Sequence, residues 1–522
     1  MAKYILLLWF TVIVLICGNL HAQDTTKSLA FKNNKPGRNY VSFYQPDLSY
    51  TLWEQFELNK EAQAGNAKAQ HELGIRYLTG KDMPSDTIKG AYWIKKAAEQ
   101  KLTAAQFNYG ILLINGWGVE WNPYEAFKQF YYAAMDGMPQ AEYVMGLLYT
   151  DNLIIKRDMI EAYKWVQKSA NKNYIPAKET LPKLTKYAPT EKDTIPKLAT
   201  NFTNYTSKGK DKQDNDNEKS LQSSSGLVYI DFDMISDSIQ TIKENDLIED
   251  IRNSSNKELA NSVKMTKDSV SYIDSTSMHT FLEAADYGCP EALNLLGYYS
   301  QNGIKFNKDP IGAAEFYIRS SKTDSRKGSI LLYDIIKEKD FFSILKKEVD
   351  KNNPDAMYVW YGIQSLGFDK QITDKDAFNL LHRSAELRNL ISITELGQDY
   401  FKGTFVKQDK EKGVGIWKLA SDQGSKDAKI RIEIANLYGE IDVKDKVESF
   451  NYLKTAEEKG SLLAELSLAD CYDKGIIVPK EKAKAIYYFR SAAVRGSVFA
   501  YNELKRLYDE MRPKDFEAEL SK

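Results

Sequence analysis

Histidine, cysteine and clustered carboxylates are the residues through which this chain could bind a metal or perform covalent chemistry. Their spacing argues against both. The four histidines are His21, His71, His279 and His382, and no two stand at metal-ligand spacing. A helical zinc site needs two imidazoles one turn apart, and no H-E-x-x-H, G-x-S-x-G or phosphate-loop pattern occurs. The acidic run Asp214-Asn215-Asp216-Asn217-Glu218 starts like a calcium loop. Lys219 then stands where such a loop needs glycine, and Ser225 where it needs a bidentate glutamate. Of three cysteines, Cys17 lies in an apolar leader, which leaves Cys289 and Cys471. About five repeats of stacked helices would hold those two tens of Å apart at roughly 10 Å per layer, whereas a disulfide needs Cα atoms within about 7 Å. Two buried, unpaired thiols are expected. These readings predict no catalytic residues, no metal and no cofactor.

The charge balance narrows the partner class. With 71 basic and 72 acidic residues the formal net charge is −1. Nucleic-acid binding needs a concentrated basic footprint, so none is expected. The abundant rings (33 Tyr, 22 Phe and 8 Trp) suit core filling in a repeat array.

The elements that would position any site come from an internal repeat. The stretch Ala105–Gly137, AAQFNYGILLINGWGVEWNPYEAFKQFYYAAMDG, reads as one helix–turn–helix unit. Ala69, Ala105 and Ala141 are 36 residues apart, as are Ala356, Ser392, Ala428, Ala464 and Ala500. Ala292 starts another unit, and a shortened one begins near Gly328. With the small residue counted as position zero, bulky residues at +4 share its face of the first helix. Glycine at +5 (Gly74, Gly110, Gly146, Gly297) costs about 1 kcal/mol against alanine in a helix, which a close helix approach would justify. Glycine at +11, with Asn152 in the third unit, ends the first helix in a left-handed residue. Asp86, Asn122, Asp158, Asp309, Thr373, Asp409 and Asp445 at +17 start the second helix by accepting from free N–H groups, with Glu481 as the exception. Small residues at +21 and +28 flank bulky ones at +25 on one face, as interlocked helix pairs require.

The combination of A-x4-G, a turn such as Gly116-Trp117-Gly118-Val119, the cap and A-x6-A-A resembles the Sel-one-like repeat, a relative of the tetratricopeptide repeat with a longer turn. The resemblance covers about Tyr50–Leu184 and Phe281–Asp509. It implies an all-α, right-handed α/α solenoid of units of about 36 residues, interrupted by a largely disordered insertion. Cysteine-rich secreted members carry a cysteine pair in each repeat. This chain does not, so their activities are not carried over.

The domain boundaries follow. Residues 1–22 read as a signal peptide: Lys3 precedes the apolar run Ile5–Ile16, too short to span a bilayer, and Leu20-His21-Ala22 supplies a cleavage site. The rival reading acylates Cys17, but Ile16 stands where lipoprotein signals want a small residue. Either way an exported chain is expected, periplasmic or at the cell envelope, with no transmembrane segment. Residues 23–49 form a polar leader, 50–185 a first array, 186–277 a low-complexity insertion, 278–511 a second array and 512–522 a tail. Within the insertion, Val228, Ile230 and Phe232 suggest a short strand, and Ile239, Ile242 and Ile251 a short helix. Asp193-Thr194-Ile195, Asp237-Ser238-Ile239 and Asp268-Ser269-Val270 resemble a short O-glycosylation acceptor motif of some secreted proteins, but coincidence in a Ser/Thr-rich linker is the favoured reading.

In tetratricopeptide arrays the first helices line the concave side, and here the +2 column varies most. Phe107, Tyr143 and Tyr358 are the candidate aromatic anchors for a partner, with His71 in the same column. The alternative is that these rings fill space between layers, and His71 alone reads as an ordinary surface histidine. The expected function is a non-catalytic scaffold or adaptor that binds another protein of unknown identity through its concave face. The alternative is a cell-wall ligand-binding or hydrolytic protein.

Overall fold

The structure, a computed structural model, describes residues 55–81, 83–189, 242–254, 256–265, 271–273, 277–368, 371–441 and 445–516. The signal region with Cys17, the polar leader, the acidic run at 214–218, the Val228 strand and the three Asp-Ser/Thr triplets lie outside these residues.

Two compact units are present. The first comprises the described residues 55–189 and 511–516. Its helices are α1 (Gln55–Gln63), α2 (Ala67–Thr79), α3 (Thr87–Glu99), α4 (Thr103–Asn115), α5 (Pro123–Met135), α6 (Pro139–Asp151), α7 (Met159–Ala170) and α8 (Ile175–Leu184). The strongest contacts join α2 with α3, α4 with α5 and α6 with α7, which are the first and second helices of each 36-residue unit. The end of the chain belongs here too. Phe516 sits edge-on to Tyr124 at 4.7 Å, and Arg512 donates to the carbonyls of Leu153 and Ile154.

The caps follow the sequence columns. Gly116 closes α4 at φ 65° and Asn152 closes α6 at φ 52°, both left-handed. Asn122 accepts from Glu125 N–H at 3.0 Å, and Pro123 opens α5 where its missing N–H costs nothing. The +5 glycines prove to be sockets. A Cβ built on Gly110 would lie 2.6 Å from the Phe130 ring, and one on Gly397 would lie 2.5 Å from Trp417. In each case the bulky +25 residue of the second helix seats against bare backbone of the first.

The second unit holds the described residues from 242 to 510. It begins with α9 (Glu244–Arg252), α10 (Lys257–Asn261) and an antiparallel hairpin of β1 (Val263–Met265) and β2 (Ser271–Ile273). The repeats then run through α11 (Met278–Asp286), α12 (Pro290–Asn302), α13 (Pro310–Lys322), α14 (Arg326–Ile336), α15 (Phe341–Asp350), α16 (Pro354–Ser365), α17 (Asp374–Glu386), α18 (Leu390–Lys402), α19 (Lys410–Asp422), α20 (Lys426–Leu437), α21 (Lys446–Glu458), α22 (Leu462–Lys474), α23 (Lys482–Val494) and α24 (Val498–Met511). The short unit at Gly328 is short because only four residues, Lys337–Asp340, join α14 to α15. Apart from the hairpin, the described elements are helical.

The insertion carries two helices and a hairpin in its last third, and α9 falls where Ile242 and Ile251 suggested a short helix. Leu247, Ile248 and Ile251 on α9 are buried in the core that contains α12. One expectation needs correction: the distance argument for the cysteines fails, although Cys289 and Cys471 are indeed free and buried. Cys289 lies beside Gly460, so close that a Cβ there would be 2.9 Å from its Sγ. The second array curls until its first and last layers touch.

Candidate functional site

The four sequence-derived anchors are buried side chains. Phe107 and Tyr143 are 0 % exposed and His71 is 2 % exposed. Phe107 packs on Phe130 of its own unit, ring centroids 5.8 Å apart. Tyr143 shares a hydrogen bond of 3.0 Å with Thr180, and the His71 ring meets the Asn108 amide at 2.7 Å. Both hydrogen-bonded pairs are 37 residues apart. Position +2 of one layer therefore faces +3 of the next, and the column taken as free of packing is an interlayer contact. Burial lowers the His71 pKa to about 4, so the ring is neutral at physiological pH. The surface-histidine expectation is thus corrected by its place between layers. Trp121, in the turn, is buried as well.

Tyr358 is also 0 % exposed, but it borders a cavity. This cavity of about 140 Å³ lies wholly within the second unit. Its walls come from the ends of α11 and α13, the first turns of α18 and α20, and Tyr358 on α16. Arg319 and Lys322 sit in the last turn of α13. Glu395, one position beyond the +2 column, and Arg431, its equivalent one repeat later, complete the charged lining.

The charges form a connected chain. Glu395 pairs with Lys322 on one oxygen and with Arg431 at 3.1 Å on the other. Arg431 Nε reaches Asp427 at 3.1 Å. Burial opposes ionisation of Glu395, yet Lys322 and Arg431 outweigh it and hold the carboxyl below the usual range. Lys322 also lies over the Tyr361 ring, 4.6 Å from its centroid. Tyr361 in turn donates to both oxygens of Asp399 at 3.0 Å. Burial, with the nearby Glu395 charge, pushes Asp399 up to about 7. Lysine and arginine donors interleaved with carboxylates can hold a polar group of a partner. Among the described residues no group of three or more His, Cys, Asp and Glu could hold a metal ion.

No column of the repeat marks this site: Arg319 and Lys322 lie at +27 and +30, either side of the small +28 residue Ser320, and Lys96 and Lys168 already carry a charge at +27 in earlier units.

The family model described as "Sel1 repeat" matches residues 67–102, 103–138, 139–174, 290–322, 391–425 and 462–497. A component of an ERAD-associated E3 ubiquitin-protein ligase from Arabidopsis thaliana, HRD3B, is 31% identical over 113 residues, which is 21% of this chain. The chain spans only 17% of that relative's length. Among solved structures, the protective antigen c5321 of uropathogenic Escherichia coli, described as displaying an SLR fold, is 20% identical over 90% of this chain and 94% of its own, with a TM-score of 0.29. A Sel1 repeat protein from Oxalobacter formigenes is 30% identical over 24% of this chain and 96% of its own, with a TM-score of 0.23. The chain thus carries six Sel1 repeats, whose boundaries coincide with its helix pairs.

Proposed function

We propose that this chain is an exported, non-catalytic scaffold or adaptor that binds another protein at the cell envelope. Sel1 repeats imply protein–protein interaction, and stacked repeats offer extended surfaces for it. The observation that carries the reading is the cavity of the second array. It gathers lysine, arginine, carboxylate and tyrosine side chains from five different helices without assembling a metal centre. Export is supported by the apolar run Ile5–Ile16 and the cleavage pattern ending at Ala22. No helix among the described residues is long and apolar enough to cross a membrane.

Crosslinking the full chain in its native host, then fractionating the cells, tests both parts. A defined protein partner recovered from the envelope fraction is the expected result. Recovery of cell-wall fragments without a protein would overturn the scaffold reading. A chain that retains residues 1–22 and stays with the cytosol would overturn export.

A further inference from the structure

The cavity has binding capacity that the fold does not use. Tyr358 is fully buried, yet its hydroxyl makes no hydrogen bond among the described residues. That hydroxyl lies within electrostatic reach of Glu395, Glu315, Arg319 and Asp427; Glu315 stands outside the lining, 3.8 Å from Arg319, and burial pushes its pKa up to about 7. Tyr358 lines the open cavity, so a group that enters this space can use the hydrogen-bonding capacity of its hydroxyl. The arginines have spare donors as well. Arg431 spends Nε on Asp427 and Nη2 on Glu395, which leaves Nη1. Arg319 makes its one hydrogen bond through Nη2, to the Ala285 carbonyl at 2.9 Å, and its carboxylate contacts are as long as 3.7 and 3.8 Å.

The charge balance selects the ligand. Arg319, Lys322, Lys426 and Arg431 line the space against Asp286, Glu395 and Asp427, an excess of one cation. Glu395 and Asp427 are already committed to Lys322 and Arg431. Lys426, exposed at the rim, has no carboxylate partner among the described residues; its ammonium lies 5.9 Å from the centroid of the Tyr287 ring. The first turns of α18 and α20, the positive ends of both helices, border the same space. The volume is close to that of an engineered cavity of about 150 Å³ that holds one benzene, so it admits a single side-chain-sized group.

We propose that this cavity binds a carboxylate presented by a partner polypeptide, with Tyr358, Arg319 and Arg431 donating to it and Lys426 supplying the surplus charge at the rim. The assignment rests on the scaffold reading and names the chemistry of one contact within it.

The test uses the full chain and three immobilised pools of random octapeptides. One pool has free C-termini and neutral side chains. A second is amidated and carries one Asp or Glu. A third is amidated and neutral. Retention on the first pool assigns a C-terminal carboxylate, and on the second a side-chain carboxylate. Tyr358→Phe removes only the unpartnered oxygen and should fold normally while binding about tenfold more weakly, the cost of one hydrogen bond to a charged group. Lys426→Ala should weaken binding several-fold and flatten its salt dependence. Equal retention on the neutral amidated pool, retention on no pool, or wild-type binding by both variants would each overturn the assignment. If both variants still crosslink to the native partner as wild type does, the cavity assignment falls and the scaffold reading stands. If wild type captures no protein in its host yet binds carboxylate pools through Tyr358, the reverse holds.

Discussion

Arg495 and Glu291 stand 204 residues apart in the chain, yet the guanidinium meets both carboxylate oxygens, Nε at 2.8 Å and Nη2 at 2.9 Å. Arg495 also donates to Glu465 and to the Gly460 carbonyl. All three charged side chains are almost completely buried. Burial opposes ionisation of Glu291, and the Arg495 charge overcomes it, holding that carboxyl below its ordinary range. This cluster joins the first layer of the second array to its last layers. A second seam lies beside it, where Arg326 N–H donates to the Gly496 carbonyl and the Ser497 hydroxyl to Asp324.

Removing one member of a buried ion cluster leaves the others uncompensated, at a cost of about 3–5 kcal/mol. Arg495→Met is therefore expected to loosen the closure between α12 and α22–α23. Cys289 provides the readout, because its thiol lies in the seam and burial pushes its pKa up, keeping it inert in the native state. Alkylation by N-ethylmaleimide, followed by peptide mass mapping, should accelerate at Cys289 in the variant. Cys471, buried in another cluster, should stay protected. Unchanged protection of Cys289 would show that the seam holds without Arg495.

The two kinds of helical glycine should respond oppositely to alanine. At Gly110 a Cβ would sit 2.6 Å from the Phe130 ring, and Phe130 is wedged in the core. The overpacking penalty of about 1–3 kcal/mol exceeds the helix-propensity gain of about 1 kcal/mol. Gly110→Ala should lower the urea midpoint of the first unit. Gly415, in α19, is exposed and has nothing within 4 Å of its added Cβ. There the propensity gain is unopposed, and Gly415→Ala should stabilise by up to about 1 kcal/mol.

Glu481 offers a third test. It occupies the cap position of α23 without a side-chain cap bond, where Asp445 at the equivalent position caps α21 by accepting from Val447 and Glu448 N–H. The extra methylene carries its carboxylate past those groups, to Lys484 at 2.8 Å. Glu481→Asp should restore the cap and stabilise by about 0.5–1 kcal/mol, visible as slower amide exchange in the first turn of α23. Unaltered exchange there would mean that the ion pair with Lys484 already does the cap's work.

The helix pairs were legible because their determinants repeat at one position per unit. A glycine stop, an Asx start and a glycine socket each act locally, so Gly116, Asn122 and Gly110 announce themselves by type. The +2 column was misread because its partner lies in the next layer. His71 contacts Asn108 and Tyr143 contacts Thr180 at a separation of 37, one residue beyond the period. A search for polar pairs at that spacing would have shown it. The cavity and the Arg495 seam were not legible at all. They depend on curvature, which sums small rotations over many repeats, and no local residue type encodes it. Tyr358 was picked for its column, and it matters because the curl of the array brings α20 opposite the end of α11.

His71 makes the first unit sensitive to acid. Burial lowers its pKa to about 4 in the folded chain, against 6.5 for the ordinary imidazole. Above pH 6.5 both folded and unfolded chains hold it neutral, and it contributes no pH dependence. As pH falls from 6.5 towards 4 the unfolded chain takes a proton that the folded chain refuses, so stability is lost across that window, to a total of about 3 kcal/mol. His71→Gln keeps an acceptor for the Asn108 amide and removes the titration. The gap between wild-type and variant urea midpoints, followed by tryptophan fluorescence of the full chain, should close or reverse in the variant's favour between pH 6.5 and pH 4. A gap that stays constant over that range would mean that His71 is protonated where it sits, and that the interlayer contact with Asn108 opens readily enough to let the proton in.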